Sequence, residues 1–462
     1  MKLPLLNNMT KTTILKTILL IFLFTVLKAV SHENVVLAIT NDRHLLPEEK
    51  TIQKKNQTPK EEYVRLFPND GNCVYPGKGL LRKWPEGGPH ELWRLKIGEG
   101  KAAIIESGGK AFTGYQADGK QWAVCLDPVT GNVIWKKMLI AVENHHVVNG
   151  TVSTPIVDGE RVYFFPYDSD KGDYWYPQCP IFCLQVSDGA TIWEEHEQFN
   201  ATEGGLPLIL GNVLYIGSSG KEKVLEAVDK LSGKMLWKIG DDTGENYCFQ
   251  TGSSLSYAEF CGVPQIICSI YKNDYIGVNA TTGEILWHWS FPTGPSSGPV
   301  PTPVVLGNRM FVSTFQGSVS WGALLEFTMK NGKFSADTVY ISDRLMCNGF
   351  HTPSVTEGAV YGFGRGNSND ALQCLDLLSG KLLWQQENQE WSRNGNMIVA
   401  DGLIFALTKH DELVLAEASK NGYKELGRVN PGIRLGIQQQ PTIFNGRLYL
   451  KGNDTIVCYQ VE

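Results

Sequence analysis

The stretch DPVTGNVIW (residues 127–135) places a tryptophan four positions after the glycine of a turn. The pattern returns four times, as VSDGATIW (186–193), DKLSGKMLW (229–237), NATTGEILW (279–287) and DLLSGKLLW (376–384). Two degenerate copies keep the phase without the tryptophan, TMKNGKF (328–334) and ASKNGYKEL (418–426). The seven glycines are 42 to 58 residues apart, a spacing that fits one four-stranded unit per repeat.

The chemistry of the pattern predicts a hairpin. Asp, Asn, Ser or Thr followed by Gly is turn chemistry, because Gly adopts positive φ without strain. A second strand–turn–strand signal precedes most copies by about 25 residues, as in TPIVDGERVYFF (154–165), TPVVLGNRMFVS (302–313) and PTIFNGRLYL (441–450). Each repeat therefore supplies four strands, A to D. The tryptophan is large enough to fill the space between adjacent sheets, and six are expected to dock blade on blade: Trp93, Trp135, Trp193, Trp237, Trp287 and Trp384.

The two ends of the chain complete the count. Residues 441–461 supply strands A, B and C of one more unit, and the chain ends before D. PHELWRLKIG (89–98) is a lone strand whose Trp93 lies 42 residues before Trp135, so it fits as the missing outer strand. The prediction is an all-β, eight-bladed β-propeller closed by an N-terminal strand that joins the C-terminal blade. Seven blades are the alternative, if one degenerate copy is not a blade.

Composition narrows the class of protein. The 462 residues carry a formal charge of −6, with 42% apolar and 19% charged residues, which is a globular composition. The acidic balance argues against nucleic acid as a partner. Lys2, Lys11 and Lys16 precede an apolar run from residue 17 to 27, and the eleven residues between Lys16 and Lys28 are too few for a membrane span. We expect a signal peptide (1–31), a linker (32–75) and the propeller (76–462), exported to the periplasm or the cell exterior with no stable membrane span.

The repeat resembles that of the PQQ-like β-propellers. Their superfamily includes bacterial quinoprotein alcohol dehydrogenases and the outer-membrane assembly factor BamB, and the resemblance covers about residues 76–462. GLLRKWPEGGPHELWR (79–94) and NGRLYLKGNDTIVCYQV (445–461) are more similar to a group of secreted bacterial PQQ-like repeat proteins. The resemblance implies the fold, and fold alone does not assign a function.

The chain departs from the enzymes of this superfamily. Quinoprotein alcohol dehydrogenases usually carry adjacent cysteines over the cofactor, and this sequence has no Cys-Cys pair. The calcium ligands and the catalytic aspartate of those enzymes match no position here. We therefore expect no cofactor, with PQQ and calcium as the alternative. BamB-like proteins usually carry a lipid-anchor cysteine, and the first cysteine here is Cys73.

Cysteines and possible metal ligands are interpreted structurally. Cys125, Cys183, Cys374 and Cys458 occupy one repeat position, where other copies have Ala or Gly, which indicates a small buried strand residue. Some of the other six cysteines could pair, with Cys261 and Cys268 flanking a hairpin. No metal site is expected. The adjacent His145 and His146 point opposite ways on an extended chain, and DSDKGD (168–173) lacks the Gly and Glu spacing of a calcium loop.

The axial mouth is the best location for function, because loops held by a rigid scaffold are where binding residues concentrate. The loops that join strand D to the next strand A are long and polar. They nominate eight ligand-binding candidates: His146, Asn149, Gln250, Asn348, His351, Arg393, Asn394 and Gln440. The alternative is that these side chains only satisfy backbone groups around the channel.

Two functions follow from these patterns. The first is a non-catalytic binding or assembly scaffold, since no catalytic set accompanies the complete ring. Its partner would be another protein or a cell-envelope component, and the chain would be a monomer. The second is a PQQ-dependent, alcohol dehydrogenase-like oxidoreductase, whose catalytic residues are unknown. A hydrolase or lyase that uses the axial loops is a third, weaker alternative.

Overall fold

The computed structural model describes residues 63–142, 153–173, 176–196, 205–218, 224–240, 253–270, 274–292, 301–314, 321–343, 345–346, 348–388, 390–392, 395–435 and 439–462. The chain divides into two compact units, 1–56 and 57–462, and the described residues all belong to the second. No helix long and apolar enough to cross a membrane occurs among them.

All regular structure in the described residues is β. Three strands precede the repeats: β1 (Tyr63–Val64), β2 (Val74–Tyr75) and β3 (His90–Lys96). Blades 1 to 4 follow in chain order. Blade 1 contains β4 (Ile105–Ser107), β5 (Lys110–Ala117), β6 (Lys120–Leu126) and β7 (Val133–Ala141). Blade 2 contains β8 (Ile156–Asp158), β9 (Arg161–Phe164), β12 (Ile181–Gln185) and β13 (Thr191–Glu195), and β10 (Asp168–Asp173) and β11 (Tyr176–Gln178) form an inserted hairpin. Blade 3 contains β14 (Leu208–Leu210), β15 (Val213–Gly217), β16 (Leu225–Asp229) and β17 (Met235–Ile239). Blade 4 contains β18 (Ser256–Phe260), β19 (Val263–Ile270), β20 (Asp274–Asn279) and β21 (Ile285–Ser290).

The remaining strands form blades 5 to 8. Blade 5 contains β22 (Val304–Leu306), β23 (Arg309–Ser313), β24 (Trp321–Lys330) and β25 (Lys333–Asp343). Blade 6 contains β26 (Ser354–Thr356), β27 (Ala359–Arg365), β28 (Asp370–Asp376) and β29 (Leu382–Glu387). Blade 7 contains β30 (Met397–Ala400), β31 (Leu403–Leu407), β32 (Leu413–Glu417) and β33 (Glu425–Val429). Blade 8 contains β34 (Thr442–Phe444), β35 (Arg447–Lys451) and β36 (Thr455–Gln460), with β3 as its outer strand.

The prediction of eight blades is confirmed. Each blade is an antiparallel sheet whose strands A to D run outward from the axis, and β3 pairs antiparallel with β36, Trp93 opposite Cys458. The ring is thus closed by strands from both ends of the chain, as the position of Trp93 in the sequence predicts. This alternation of strands puts the A–B and C–D turns on one side of the ring, here called the turn face. The B–C and D–A connections lie on the other side, the loop face.

A small residue lies opposite each repeat tryptophan on strand C. Cys125 pairs with Trp135, Cys183 with Trp193, and Cys374 with Trp384, and the register shifts by one residue directly after each pair. All three cysteines are buried, and burial raises the pKa of each thiol to about 12. Cys261 and Cys268, which flank a hairpin and could have paired, do not form a disulfide. Both thiols are free, because Cys268 points into the core while Cys261 sits in the turn that follows β18.

Five of the six repeat tryptophans, all except Trp287, dock on the turn of the following blade. The Trp135 indole donates a hydrogen bond to Val186 O at 3.0 Å and lies over Gly189, at which a methyl group would meet the ring at 2.7 Å. Trp93 and Trp193 repeat this arrangement on Gly131 and Gly233. The turn that receives the ring needs glycine for two reasons, its positive φ and its lack of Cβ.

Blades 4 and 5 depart from the repeat. The indole of Trp287 donates to Gln265 Oε1 at 2.7 Å within its own blade instead of reaching the next turn. Phe327, on the long hairpin of β24 and β25, packs against Trp287 where the next turn would otherwise lie, with 4.7 Å between the ring centroids. Tyr340 then replaces the tryptophan missing from blade 5, donating to Leu377 O at 2.9 Å over Gly380.

The seam between blades 8 and 1 carries buried charge. The Glu106 carboxylate, 3% exposed, accepts hydrogen bonds from Arg447, from Tyr449 OH at 2.6 Å and from Asn445 at 2.7 Å. Lys451 is buried, and its Nζ donates to Gly114 O at 2.6 Å and to Ala102 O at 3.2 Å. No carboxylate among the described residues pairs with Lys451. Polar side chains of blade 8 therefore bond to groups of blade 1 at the seam where the ring closes.

Substitution of a docking glycine tests the tryptophan contact. Gly189→Ala should destabilise the protein by about 2–4 kcal/mol, since backbone strain and the clash with Trp135 add. Gly211→Ala is the matched control, because Gly211 also has positive φ but has no atom within 4 Å of an added methyl group. We expect it to cost only about 1 kcal/mol in urea unfolding. Equal losses would contradict the docking role.

The buried lysine predicts a pH dependence of stability. Burial lowers the pKa of Lys451 to about 7 from its ordinary 10.5, so the unfolded chain binds more protons between these pH values. The contribution of Lys451 to the free energy of unfolding should therefore rise with pH, by up to about 1.4 kcal/mol per pH unit. The measurement is the difference between wild type and Lys451→Met at pH 7, 8 and 9. A difference that stays constant over this range would contradict the assignment.

Candidate functional site

The loop face around the axis is where the sequence analysis placed the ligand-binding residues. Five of the eight candidates lie outside the described residues: His146, Asn149, Gln250, Arg393 and Asn394. The other three, Asn348, His351 and Gln440, are buried, with exposed fractions of 8% or less.

These three side chains contact the backbone of the ring. Asn348 accepts from Phe363 N at 2.7 Å and donates to Met346 O at 3.2 Å. His351 Nδ1 accepts from Met397 N at 3.5 Å, and burial lowers the pKa of His351 to about 3, so its ring is neutral. Gln440 donates to Met397 O at 3.4 Å. All three thus satisfy backbone groups, which is the alternative role that the sequence analysis allowed.

A belt of hydroxyl groups joins the inner strands where they begin. The side-chain oxygens of Thr154, Ser254, Thr302 and Thr352 each accept a hydrogen bond from a backbone N–H of the preceding blade, at 2.9 to 3.2 Å. Three of these are the Thr of a Thr-Pro pair at the start of strand A. The belt therefore holds neighbouring blades together on the side of the axis nearest the loop face.

The axial channel is filled by the chain itself. Residues 63–75, here called the axial segment, enter beside blade 2, where β1 pairs antiparallel with β8. They leave beside blade 7, where β2 pairs parallel with β30. Because β8 and β30 run in the same direction, the segment rises along one inner strand and descends along the other. It is inserted as a loop from the turn face, and both of its ends lie on that side.

Hydrogen bonds to inner-strand backbone groups hold the axial segment to four successive blades, 4 to 7. Tyr257 N donates to Asn69 O at 2.7 Å, Val305 N to Asp70 O at 2.8 Å, and Val399 N to Cys73 O at 3.1 Å. In blade 6, between the last two, Val355 donates its N–H to Asn72 Oδ1 at 2.9 Å and accepts from Asn72 Nδ2 at 2.7 Å. The inner edges of these strands are thus paired, although no further blade strand adjoins them.

The centre of the segment is apolar on one side and charged on the other. Leu66, Phe67 and Cys73 pack with Ala103 of blade 1 and Leu206 of blade 3, which spans the axis. Arg65 is 5% exposed and donates to Pro207 O at 3.1 Å, Leu255 O at 3.0 Å and Pro68 O at 2.9 Å. Three carbonyl oxygens thus surround the buried guanidinium.

The sequence analysis did not predict that a segment of the chain fills the axis. Residues 63–75, which the sequence analysis assigned to the linker (32–75), lie inside the propeller. The signal that could have found them is the run VRLF (64–67) followed by PNDGN (68–72), an apolar stretch and a turn inside a segment otherwise rich in charge. Trp84 was also missed. It is 3% exposed and packs against Gly427 on the outer strand of blade 7.

Little reactive chemistry is assembled around the axis. No group of three or more His, Cys, Asp or Glu arranged to hold a metal occurs within the described residues. Burial raises the pKa of Cys73 well above its ordinary value, so its thiol is unreactive. A cleft of about 500 Å³ opens on the loop face between blades 8 and 1. Charged residues line it, and Lys96 pairs with Asp454 there at 3.1 Å.

Substitution of Asn72 tests whether its two hydrogen bonds to Val355 fix the axial segment in the ring. Asn72→Ala leaves the N–H and C=O of Val355 without their partner and should lower the free energy of unfolding by about 2 kcal/mol. Asn453→Ala is the control, because the Asn453 side chain is exposed, and it should cost under about 0.5 kcal/mol. Similar losses in urea unfolding would contradict a specific role of Asn72.

The sequence matches known proteins over part of its length. A family model described as outer membrane protein assembly factor BamB matches residues 179–386, which span blades 2 to 6. BamB from Moranella endobia (strain PCIT) is 38% identical over 71 residues. That match covers 15% of this chain and 16% of the relative, so it extends over only a small part of either protein.

The fold matches solved structures over most of its length. BamB from Moraxella catarrhalis superimposes with a TM-score of 0.57 and 13% identity, covering 80% of this chain and 99% of that one. The quinohemoprotein alcohol dehydrogenase from Comamonas testosteroni superimposes with a TM-score of 0.60 and 11% identity, covering 85% and 79%. At such identities the likeness shows the fold alone.

Proposed function

We propose that the chain is a PQQ-like β-propeller that acts as a non-catalytic binding or assembly scaffold, exported to the periplasm or the cell exterior. The observation that carries the proposal is the filled axis. The centre of a propeller is the natural place to enclose a small substrate, and here residues 65–73 occupy it. What remains available to a partner is the outer surface of the ring and its loop face.

The axial residues do not fit a quinone with calcium. A planar cofactor on the axis would need the volume that Leu66 and Phe67 occupy. Calcium requires six to eight oxygen ligands, usually including carboxylates, and the described residues hold no acidic cluster of that kind. Glu106 is close to the axis, but its oxygens already accept from Arg447, Tyr449 and Asn445. No step of a dehydrogenase reaction follows from this site.

The similarity of part of the sequence to BamB supports another protein as the partner. The matched family model and the relative from Moranella endobia are both described as outer membrane protein assembly factors. The loop face offers an exposed aromatic side chain close to the axis, Phe350, which is 39% exposed next to the buried His351. Aromatic side chains of this kind are frequent anchors at protein interfaces. The basic, then apolar start of the chain supports export.

Titration with the cofactor distinguishes a non-catalytic scaffold from a quinone-dependent enzyme. The full chain is titrated with pyrroloquinoline quinone and calcium in a calorimeter and then assayed for dye-linked alcohol oxidation. We expect neither saturable heat nor turnover. Saturable binding with turnover would overturn the proposal and assign the chain to the dehydrogenases.

Photo-crosslinking tests the loop face as the partner surface. A benzophenone amino acid at Phe350 should give a discrete cross-linked species in the cell envelope of the native host, one that excess unlabelled protein suppresses. The control position is Leu378, a side chain on the turn face that is more exposed than Phe350 and therefore at least as accessible to a partner. Cross-links of equal yield from both positions, or from neither, would contradict the proposed surface.

A further inference from the structure

The outer hairpin of blade 1 carries an unusual concentration of exposed apolar side chains. Val129, in the turn before β7, is 60% exposed, and Val133, Ile134 and Met138 on β7 are 43–48% exposed. Strand β7 pairs with β6 on one side only, so its other edge lies at the rim of the ring. Aliphatic side chains so exposed on a strand at the rim mark a contact surface.

The same hairpin is basic. Lys136 and Lys137 lie between the apolar residues, and no acidic residue occurs from 128 to 142. The carboxylate that precedes them, Asp127, is occupied by its own turn, where it accepts from Val129 N at 2.9 Å and Thr130 N at 2.8 Å. The patch is therefore positive although the chain as a whole is acidic.

The partly exposed Trp122 adds an interfacial aromatic group. Lys136 Nζ lies 5.1 Å from the centre of its ring, and Tyr115 stacks on Trp122 at 6.4 Å. No carboxylate among the described residues pairs with Lys136 or Lys137. Aliphatic side chains flanked by tryptophan and lysine are the composition that favours the boundary between lipid headgroups and acyl chains.

Blade 6 provides a comparison within the same molecule. Leu378, Leu382 and Leu383 occupy the positions of Val129, Val133 and Ile134 and are 39–53% exposed. In place of Lys136, Lys137 and Met138, however, blade 6 has Gln385, Gln386 and Glu387. The two hairpins share their apolar triplet and differ in charge. Blade 3 has only a smaller version of the basic patch, Leu231 and Leu236 with Lys234 and Lys238.

We propose that the outer hairpin of blade 1 docks on an anionic lipid surface. Val133 and Ile134 lie at the bulge where the pairing of β7 with β6 shifts by one residue, and both are exposed at the free edge of the sheet. A fluid headgroup layer adapts to such an irregular edge, whereas a protein groove would have to match its shape. The lysines supply charge complementarity to the phosphates of the lipid. This inference goes beyond the proposed scaffold function and does not depend on it.

Vesicle flotation tests the proposal. The probes are vesicles of phosphatidylglycerol and phosphatidylcholine in equal amounts, against vesicles of phosphatidylcholine alone. We expect the wild-type protein to partition into the anionic vesicles about tenfold more strongly at low salt, and raising the salt should reduce this preference. All variants share the same N-terminus, so differences between them report on the hairpin.

Matched variants locate the contact. Val129→Ser with Val133→Ser and Ile134→Ser should lower partitioning about tenfold, and Lys136→Gln with Lys137→Gln should lower it to a similar extent. Leu378→Ser with Leu382→Ser and Leu383→Ser, the equivalent change on blade 6, should alter it less than about twofold. If the apolar triple variant of blade 1 does not fold, the lysine pair decides, because surface charge changes leave the fold intact.

Three results would overturn the proposal. The first is no preference of the wild type for anionic vesicles. The second is an equal loss from the blade 6 variant, which would show unspecific apolar adhesion. The third is lysine-dependent binding of soluble polyglutamate without vesicle partitioning, which would identify an acidic protein as the partner.

Discussion

Eight strands that meet around an axis each leave one edge of backbone N–H and C=O groups without a neighbouring strand, and the structure depends on how those edges are satisfied. Here the axial segment supplies partners to the inner strands of blade 2 and of blades 4 to 7, from Val157 in blade 2 to Val399 in blade 7. The belt of Thr and Ser hydroxyls does the same at the start of the strands. Burying these groups unpaired would cost each its desolvation penalty, so the segment is part of the fold and not an appendage to it.

The repeat was predictable because its chemistry is local. A glycine turn, a tryptophan four residues later and a small residue on the preceding strand are each visible in a single sequence, and they fixed the blade number and the closing role of Trp93. The departures were not visible, since they depend on packing between blades. Nothing near Trp287 in the sequence indicates that its indole turns back to Gln265, or that Phe327 fills the space and Tyr340 restores the contact one blade later. Likewise, the axial position of Arg65 and Asn72 follows from contacts with residues up to 283 positions away.

The candidate site shows the same difference between local sequence signals, which are predictable, and long-range contacts, which are not. Of the eight loop residues nominated from the sequence, three lie among the described residues, and the sequence did not indicate what their side chains contact. His351, Asn348 and Gln440 are buried against the backbone, because the axis that they were expected to line is already occupied. The partner surfaces that we propose accordingly lie away from the axis, on the loop face near Phe350 and at the rim. The seam of blades 8 and 1, where Glu106 and Lys451 are buried, holds the ring closed without contributing an accessible reactive group.

Hydrogen–deuterium exchange of the inner-strand amides tests the account most directly. The N–H groups of Tyr257, Val305 and Val399 have no strand partner on the axial side other than the axial segment. If the segment is integral to the fold, these amides exchange only when the whole ring unfolds, as slowly as those at the centre of the blades. Exchange as fast as that of exposed outer-strand amides, in a ring that otherwise stays folded, would show that the segment leaves the channel. It would contradict the claim that the axis is closed.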